Sequence, residues 1–556
     1  MILAAGRGTR LGNLTRDTPK PLIPLDGETR VIDVTVERLR DAGIFEIAVN
    51  LHHHGGQLKS YLEDRYRDVR WAFFNERQLL NTGGGIFNAR HFLAASEHFV
   101  VTNADILHFI PFAEVVRPHV AGARRVTMVL KPSGPSRAVV YRANHGVLGF
   151  TDPVGRLYYG RPNPCKPVSY GTFVGVQVLH RSIFDVMHGE AFSIIDTYAE
   201  LIAAGETIHV HDAADQYWSD LGTPETLTAG RRVFAVLQSA TGQLDEPVQR
   251  VTSVFEGAGS TQVTRVQSSR RSVVGVTSPD KPAMNDLIRL TKMLTEHGAP
   301  VPAVLDRTPS GAVMEDGGRQ LLEVVEHGGE TNEIWREAVH VLCRLAEVPV
   351  SAFIELRHGE PPVFDRENVL FDLRYFNRHA LAADESSALR WSETTCSRTA
   401  EIVWSWFADQ PQVLMHRDFQ STNLLIDTAG ILRMVDLGTL RLGFSLYDLA
   451  SLAFDIYLPH REHRLELLWS TYAQRFPGAD RRVFWGAAWL RLIQATATAC
   501  RFAPERPFFR QALPNCIAKL QRVISEPEAH PLLNLLPKEI TERLSQLVAS
   551  GFSDRS

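Results

Sequence analysis

The chain opens with an apolar segment that runs directly into a turn containing two glycines and two arginines. This turn is Gly6-Arg7-Gly8-Thr9-Arg10, and Pro19-Lys20-Pro21 follows it at close range. Glycines let backbone N–H groups approach phosphate oxygens, and arginines offset the phosphate charge. A lone Gly-x-Gly turn is weak evidence, but Lys20 adds a rigidly held cation. The arrangement predicts a binding site for a triphosphate.

Two aspartates are candidate ligands of a metal ion beside that triphosphate. Asp105 ends the apolar run 99–105, at the carboxyl end of a predicted strand, where open α/β sheets collect their ligands. Asp220 lies in the segment 218–224. Either aspartate alone is more often a helix cap or a solvated turn. Together they suit Mg²⁺, which prefers one or two carboxylates with phosphate oxygens and water.

A second group of residues has the spacing of a phosphoryl-transfer site. In the segment 413–426, Asp418 is followed five residues later by Asn423, and Asp436 stands thirteen residues beyond Asn423 at the end of an apolar run. An aspartate near the attacking hydroxyl can accept its proton, and the asparagine and second aspartate can hold a metal ion. The pattern predicts Asp418 as the base, with Asn423 and Asp436 as Mg²⁺ ligands.

Both groups must be positioned by folded domains. In residues 1–234, short β-branched runs such as 47–51 alternate with amphipathic stretches such as 31–42. This alternation predicts an α/β domain whose mixed, mostly parallel sheet is covered by helices. Residues 235–250 are polar, and they are predicted to form a linker or a bridging helix.

The remainder of the chain has a different pattern. Residues 251–276 are typical of hairpins around a glycine-rich turn, and beyond residue 285 the helical period dominates. We therefore expect an α+β domain over 251–530, with a small β-rich lobe and a large helical lobe. Residues 531–556 are predicted to be a C-terminal tail.

Composition restricts the class of protein further. The 556 residues are 44% apolar and carry a formal net charge of −4. A nearly neutral chain has no overall electrostatic field that would attract nucleic acid or an anionic membrane, so we expect small-molecule partners. No run is apolar enough to span a membrane, and Arg7 and Arg10 come too early for a signal peptide, which predicts a cytoplasmic protein. Five scattered cysteines indicate neither a disulfide framework nor a zinc site.

The N-terminal segments resemble the sugar-phosphate nucleotidyltransferases, which share Leu-Ala-Ala-Gly-x-Gly-Thr-Arg followed by Pro-Lys-Pro. The resemblance extends to about residue 232 and implies a Rossmann-like fold. It implies that Arg10 stabilises the departing pyrophosphate and that Lys20 grips phosphate oxygens. Asp220 matches the family's Asp-x-Gly-Thr-Pro segment, which supplies a metal ligand. The residues implied in nucleotide binding are Ala4, Ala5, Gly6, Gly8 and Thr9.

A narrower resemblance concerns the segment 80–86, which contains three glycines. It is similar to the Glu-Thr-Gly-Gly-Gly-Ile segment of N-acetylmuramate α-1-phosphate uridylyltransferases, with Asn81 in place of the glutamate. Three glycines alone could equally be a flexible loop. The resemblance implies that Thr82 and Gly83 contact the nucleotide and that Gly84 and Gly175 contact the sugar.

The segments around Asp418 and Asp436 resemble the aminoglycoside phosphotransferase and choline kinase superfamily. This resemblance implies a bilobal, protein-kinase-like fold. It implies that adenine docks at a hinge containing Glu315. Gly259 and Ser260 lie in a glycine turn that could cover the ATP phosphates, since backbone amides in such a turn can contact anions. A glycine turn often carries no ligand, however, and the strand 272–276 lacks the usual phosphate-binding lysine, for which Arg265, Arg271 and Lys281 are open alternatives.

The segment 371–376 resembles the acceptor-side helix of anomeric N-acetylmuramate and N-acetylglucosamine kinases. Asp372 stands where those kinases carry an acidic residue that can hold sugar hydroxyls. The alternative is a solvated helix face.

Taken together, the two resemblances imply a bifunctional enzyme. An ATP-dependent kinase would phosphorylate a free sugar, N-acetylmuramate or N-acetylglucosamine, and a Mg²⁺-dependent transferase would join the product to UTP for cell-wall synthesis. One alternative is choline kinase with phosphocholine cytidylyltransferase. Another is that one domain has lost catalysis and serves as a binding module, although the retained Asp418, Asn423 and Asp436 argue against that reading.

Overall fold

The computed structural model describes residues 1–142, 146–160, 168–256, 261–381, 390–504 and 506–535. The chain forms two compact units, one of residues 1–281 with 305–314, the other of residues 282–304 with those from 315 onward. No helix in the described part of the chain combines the length and apolar composition that a membrane crossing requires.

The first unit contains most of the strands. Its elements are β1 (Ile2–Leu3), α1 (Val31–Asp41), β2 (Glu46–Leu51), α2 (Gly55–Arg65), β3 (Arg70–Asn75), α3 (Asn81–Asn88), α4 (Arg90–Leu93), β4 (His98–Asn103), β5 (Ile106–His108), α5 (Phe112–Ala121), β6 (Val126–Pro132), β7 (Val139–Arg142), β8 (Gly146–Thr151), β9 (Leu157–Gly160), β10 (Ser169–His180), α6 (Ile194–Ala203), β11 (His209–Asp212), β12 (Trp218–Asp220), α7 (Pro224–Gly242), β13 (Arg250–Glu256), β14 (Gln262–Gln267), β15 (Ser272–Thr277), β16 (Val304–Thr308) and β17 (Gly311–Glu315).

A ten-stranded mixed sheet forms the centre of this unit. Its order is β3-β2-β1-β4-β10-β7-β8-β9, and β6 joins β10 and carries β11 at its other edge. The strands β3, β2, β1 and β4 are parallel, whereas β10, β7, β8 and β9 join antiparallel. Helices cover the parallel part, so its strands are apolar on both faces. Parallel pairing of Leu3 with Asn103 brings the carboxyl ends of β1 and β4 to one edge.

Helix α7 connects this sheet to a second, five-stranded sheet of order β13-β14-β15-β17-β16. The helix continues past residue 234 without a break. Of the two structures predicted for the segment 235–250, a linker or a bridging helix, residues 235–242 therefore form the helix. Its buried face shares one hydrophobic cluster with the second sheet: Val236, Leu237 and Ala240 with Val251, Val266, Val273 and Val313. The domain limits at 234, 250 and 530 stay predictions.

The second unit is mainly helical. Its elements are α8 (Lys281–Glu296), β18 (Arg319–Gln320), α9 (Leu321–Glu326), α10 (Asn332–Glu347), α11 (Val350–Leu356), α12 (Arg366–Phe376), a π-helix (Asn377–Leu381), α13 (Glu393–Ser405), β19 (Val413–Met415), β20 (Leu424–Ile426), β21 (Leu432–Met434), β22 (Arg441–Gly443), α14 (Ser445–Ala453), α15 (Glu462–Arg475), α16 (Arg481–Phe502), α17 (Pro507–Ile524) and α18 (His530–Leu535).

The core of the second unit lies between its helices and two small sheets. Trp335, Trp485 and Trp489 are fully buried there, which explains the apolar helical pattern of the sequence. The loop between β19 and β20 carries Asp418 and Asn423, and Asp436 follows β21. The predicted α/β fold with a mixed N-terminal sheet, followed by an α+β part, is confirmed.

Candidate active sites

Four side chains predicted from the sequence meet at the carboxyl edge of the large sheet. Lys20 Nζ lies 2.5 Å from Asp105 Oδ2 and 4.0 Å from Asp220 Oδ1, and Arg10 Nη2 lies 3.7 Å from Asp220 Oδ2. The Lys20 side chain is only 8% exposed, whereas that of Arg10 is 63% exposed. The buried lysine therefore holds two carboxylates in place, and the arginine stays accessible to a ligand.

The two aspartates are neighbours because of strand pairing. β12 pairs antiparallel with β5, so that Asp220 stands opposite Ile106, and the Leu221 amide donates to the Asp105 carbonyl at 3.1 Å. Two partly exposed carboxylates on one cation offer the hard oxygen ligands that Mg²⁺ prefers, and phosphate oxygens and water can complete its shell. The residues present thus fit a magnesium site shared with a triphosphate.

The glycine turn is shaped by its approach to Lys20. Gly8 has φ +65°, and a Cβ on it would lie 2.9 Å from Thr15 Cγ2 and 3.2 Å from Lys20 Cβ. The Thr15 hydroxyl donates to the Gly8 carbonyl at 3.1 Å. Glycine is needed here because both the backbone conformation and the space exclude a side chain.

A buried polar chain beneath the turn was not found by reasoning from the sequence. The Ala4 amide donates to Asn50 Oδ1 at 2.7 Å, and Asn50 Nδ2 donates to Glu76 Oε1 at 2.7 Å. Glu76 is 6% exposed and also accepts from the Leu80 amide at 3.0 Å. These bonds tie Ala4, just before the turn of residues 6–10, to the start of α3. The one available signal was a polar residue, Asn50, among the apolar residues of the predicted strand 47–51.

The triple-glycine segment forms the first turn of α3 and faces the protein. Both the Gly83 and the Gly84 amides donate to the Phe192 carbonyl, at 3.0 and 3.2 Å, and Thr82 Oγ1 accepts from the Ile194 amide at 3.0 Å. A Cβ on Gly84 would lie 2.4 Å from the Glu190 carbonyl oxygen. These glycines serve close internal packing, so the flexible-loop alternative is wrong. The ligand contacts of Thr82, Gly83 and Gly84 stay predictions.

Gly175 shows a similar constraint at the predicted sugar side. It has φ +81°, and a Cβ there would lie 2.6 Å from Asn103 Nδ2. Asn103 ends β4, two residues before Asp105. The glycine thus leaves room for a polar side chain at the sheet edge that holds the carboxylates.

In the second unit, Asp418, Asn423 and Asp436 are assembled around one loop. Asn423 Nδ2 donates to the Asp418 carbonyl at 2.9 Å and to Asp418 Oδ2 at 3.2 Å. These bonds use the nitrogen end of the amide, so Oδ1 is the atom left to ligate a cation. The Val435 amide donates to the Asn423 carbonyl at 2.9 Å, which fixes Asp436 beside this pair.

Asp436 sits in a strained and partly buried position. Its φ is +62°, in the left-handed region. Burial, together with the neighbouring Asp418 carboxylate, raises the pKa of Asp436. A cation between Asn423 and Asp436 would offset this penalty, since an opposite charge favours the ionised form. The donor set therefore fits Mg²⁺.

A buried aspartate on α14 fixes the backbone that leads into Asp418. Asp448 accepts from the His416 and Arg417 amides, each at 2.7 Å, and is fully buried. Burial raises the pKa of Asp448 to about 7. Arg417 has φ +70°, so two amide bonds hold an unfavourable residue conformation immediately before the predicted base.

Arg491 is the principal site residue that the sequence did not reveal. Its Nη2 donates to Asp418 Oδ1 at 2.6 Å and to Gln420 Oε1 at 3.0 Å, and its Nε donates to Ser451 Oγ at 3.0 Å. Burial lowers the pKa of Arg491, but the charge of Asp418 and other neighbours outweighs it, so the pKa is raised. The signal in the sequence was that Arg491 is the only charged residue between 483 and 500.

Asp372 requires a correction. It is fully buried, and its Oδ1 accepts from Arg417 Nη2 at 2.8 Å. Its Oδ2 is buried without a hydrogen-bond partner, and burial raises the pKa of Asp372. The solvated helix face is therefore wrong, and a direct contact with sugar hydroxyls does not fit this burial. The helical period of the sequence predicted that Asp372 lies on a helix. It did not show that Asp372 is on the side of α12 that packs against the loop containing Arg417 and Asp418.

The predicted ATP contacts are only partly described. Glu315 ends β17, where its amide donates to the Ala303 carbonyl and its Oε2 accepts from the Ala303 amide at 3.1 Å. Its adenine contact stays a prediction. Gly259 and Ser260 lie outside the described residues.

Each of the two candidate sites lies in a part of the chain that matches a known protein family. Residues 1–234 match the nucleotidyl transferase family, and residues 251–485 match the phosphotransferase enzyme family. The chain is a fusion of a nucleotidyltransferase domain and a phosphotransferase domain. The phosphotransferase match begins within the first compact unit and continues in the second.

Curated relatives of the chain are sugar-1-phosphate guanylyltransferases. The mannose-1-phosphate guanylyltransferase catalytic subunit beta of Dictyostelium discoideum is 25% identical over 237 residues, and that of Drosophila melanogaster is 28% identical over 240 residues. Each alignment covers 42% of this chain, and 64% and 62% of those proteins. The chain thus spans less than two thirds of the length of these relatives.

Solved structures show similarity at lower identity. A putative glucose-1-phosphate thymidylyltransferase of Bacillus anthracis, in complex with a sucrose, is 19% identical with a TM-score of 0.36, over 42% of this chain and 93% of that one. HddC of Yersinia pseudotuberculosis, complexed with GMP-PN, is 20% identical with a TM-score of 0.34, over 42% and 97%.

Proposed function

We propose that the chain converts a free sugar into a nucleotide sugar in two steps. The phosphotransferase domain moves the γ-phosphoryl group of ATP to the anomeric hydroxyl. The nucleotidyltransferase domain joins the resulting sugar 1-phosphate to a nucleoside triphosphate and releases pyrophosphate. The observation that carries the proposal is that one chain holds both Asp418 with Asn423 and Asp436, and Arg10 with Lys20, Asp105 and Asp220.

In the first step, Asp418 orients the anomeric hydroxyl and accepts its proton. The hydroxyl oxygen forms a bond to the γ-phosphorus while the bond to the bridging oxygen of ADP breaks. Arg491 Nη2 lies 2.6 Å from Oδ1 of the Asp418 carboxylate and Asn423 Nδ2 lies 3.2 Å from its Oδ2, so both oxygens are oriented and a remaining lone pair of the carboxylate accepts the proton. Asn423 and Asp436 would hold Mg²⁺, which neutralises the charge of the phosphates.

In the second step, a phosphate oxygen of the sugar 1-phosphate attacks the α-phosphorus, and the bond to the leaving pyrophosphate breaks. No side-chain nucleophile is needed, so the protein contributes position and charge. Arg10 is exposed and meets the departing pyrophosphate, whereas buried Lys20 keeps Asp105 and Asp220 in place to hold Mg²⁺.

Two observations favour different substrates within this scheme. The segment 80–86 favours UTP with N-acetylmuramate or N-acetylglucosamine 1-phosphate, which serve cell-wall sugar salvage in the cytoplasm. The curated relatives are described as mannose-1-phosphate guanylyltransferases, which favours GTP with a hexose 1-phosphate as the second candidate. Both candidates use the same charged residues and differ only in the base and sugar.

A product assay by mass spectrometry tests the proposal. The full chain is given ATP, Mg²⁺, either UTP or GTP, and a panel of free N-acetylmuramate, N-acetylglucosamine, mannose, heptose and choline. We expect one nucleotide sugar, absent with Asp418→Asn and restored when that variant receives the sugar 1-phosphate. Asp105→Asn should accumulate the sugar 1-phosphate. Phosphocholine, or ATP turnover without any acceptor dependence, would overturn the proposal.

A further inference from the structure

A buried aspartate outside the predicted sites holds the short 3₁₀ turn Ser421–Asn423, which ends in the proposed metal ligand. Asp455 follows the C-terminus of α14, is 2% exposed, and accepts from the Ser421 amide through Oδ2 at 2.6 Å. Because Ser421 is the first residue of the turn, its amide needs an acceptor from elsewhere. A carboxylate forms a stronger bond to such an amide than a neutral acceptor does. Asp455 therefore fixes the start of the turn that carries Asn423.

The loop 416–423 is held at both ends by carboxylates from one part of the fold. Asp448, on α14, accepts from the first two amides of the loop, each at 2.7 Å. Asp455 stands seven residues later in the sequence and accepts from an amide near the end of the loop. Asp418 lies between the two attachments, and Asn423 follows the second. The two attachments therefore set the position of the proposed base relative to the proposed metal ligand.

Both carboxylate oxygens of Asp455 accept a backbone hydrogen bond. Oδ1 accepts from the Tyr457 amide at 2.9 Å, while Oδ2 accepts from the Ser421 amide. An asparagine at this position would offer one acceptor oxygen and one NH₂ donor, so it could satisfy only one of the two amides. The arrangement thus requires a carboxylate, and not only a polar side chain of this size.

Helix α17 in turn holds the segment that contains Asp455. Lys519 Nζ donates to the carbonyl oxygens of Asp455 and Leu458, to the latter at 2.6 Å. Asn515 Nδ2, one helical turn earlier, donates to the Ile456 carbonyl at 3.3 Å. Lys519 is 1% exposed; burial lowers its pKa to about 8, and the charge of Asp455 opposes this effect. The two buried charges therefore partly offset each other's cost of burial.

We propose that Asp455 is a positioning residue of the phosphotransferase domain and that Lys519 supports it from α17. Asp455 acts through the Ser421 amide to set Asn423 Oδ1 for Mg²⁺, and it is not itself a ligand. The inference rests on the proposed function, because Asn423 is a metal ligand only if this domain binds Mg²⁺ with ATP. Such a role predicts an effect on the use of Mg²⁺ and none on the binding of the sugar.

Phosphorylation rates measured at increasing free Mg²⁺ concentration test this role. We expect Asp455→Asn to raise the half-saturating Mg²⁺ concentration about tenfold, as the loss of an outer-shell partner does, with the KM for the sugar unchanged. Lys519→Met should act in the same direction. Asp480→Asn is the matched control, because Asp480 also accepts from a backbone amide, that of Arg482 at 2.9 Å, but caps α16 at a position that is 36% exposed.

Hydrogen exchange of the peptide 413–426 gives a second measurement, which needs no sugar. Exchange is followed by mass spectrometry without metal, and then with Mg²⁺ and a non-hydrolysable ATP analogue. We expect this peptide to exchange faster in metal-free Asp455→Asn than in the parent, and to need about ten times more Mg²⁺ for protection. This result would support the positioning role even if the parent phosphorylates no sugar, and then the proposed function alone fails.

Circular dichroism identifies the folded variants, and either Asp455→Asn or Lys519→Met is sufficient for the comparison. The inference is overturned if a folded variant exchanges and uses Mg²⁺ as the parent does, or if Asp480→Asn is equally impaired. It is also overturned if Mg²⁺ and the ATP analogue leave the peptide 413–426 of the parent unprotected.

Discussion

Arg491 Nη2 lies 2.6 Å from Asp418 Oδ1, although 73 residues separate them in the sequence. The arginine belongs to the buried helix α16, whereas the aspartate lies on a loop after β19. Helix α16 therefore sets the orientation of the proposed base. The pair also accounts for a buried cation in the middle of α16, where residues 483–500 contain no other charged side chain, since buried charges need partners.

Removing this cation should impair phosphorylation selectively. We expect Arg491→Met to lower the kcat of sugar phosphorylation about a hundredfold, because Asp418 loses the contact that orients it. Nucleotidyl transfer from supplied sugar 1-phosphate should be retained. Arg482→Met is the control, because Arg482 lies on the same helix, is 65% exposed and pairs only with Asp480 among described residues. If both variants lost the same factor in kcat, destabilisation of α16 would be responsible, and not the loss of the contact that orients Asp418.

Much of the fold, and most residues of both candidate sites, could be predicted from local patterns in the sequence. The β-branched runs marked the buried strands β2, β4 and β6, and the position of Asp105 just beyond the carboxyl end of β4 followed from the strand pattern alone. The spacing of Asp418 and Asn423 likewise placed them on one loop. Such features are encoded within about ten residues, the range over which periodicity and turn chemistry act.

Other features depend on contacts that no local pattern encodes. The burial of Asp372 depends on Arg417, 45 residues away, and the packing of Gly84 depends on a segment more than 100 residues away. Glu76 was missed because an isolated glutamate in a polar stretch is usually solvated. Only tertiary packing shows that it closes the hydrogen-bond chain to Ala4.

Lys20 should be essential for nucleotidyl transfer but not for phosphorylation. We expect Lys20→Met to lower nucleotidyl transfer by about 10² to 10³, because two carboxylates lose their shared cation and the phosphates lose a positive neighbour. Transfer is followed by pyrophosphate release from supplied sugar 1-phosphate. Arg16→Met is the matched control, since Arg16 is exposed and bonds only to nearby Asn13 Oδ1 through its side chain in the described structure. A parent-like rate in Lys20→Met would contradict this role.

The pH dependence of phosphorylation should report on Asp448. Its pKa is raised to about 7, so the carboxylate is ionised above that pH and protonated below it. A protonated carboxyl accepts less well from the His416 and Arg417 amides, which loosens the loop before Asp418. We expect kcat to fall up to tenfold per unit as the pH falls below about 7 and to level off above it.

The same enzyme provides the controls for this pH profile. Asp448→Asn cannot ionise, so its phosphorylation rate should be low at all pH values and show no inflection near 7. Nucleotidyl transfer by the parent should lack that inflection, because Asp448 lies in the other compact unit. An unchanged inflection in Asp448→Asn would assign the titration to another group.

The contact between α7 and β15 should be important for the stability of the first unit. Val236 Cγ1 lies 2.7 Å from the position of a Cβ on Gly275, so Gly275→Ala forces a stiff, buried valine to move. We expect a loss of about 1–3 kcal/mol in the free energy of unfolding, as for overpacked cores, measured by urea denaturation. Gly242→Ala is the control, because a Cβ there meets no atom within 4 Å. The double variant Val236→Ala with Gly275→Ala should recover part of the loss relative to the sum of its single variants, and additive losses would show that the two residues do not interact.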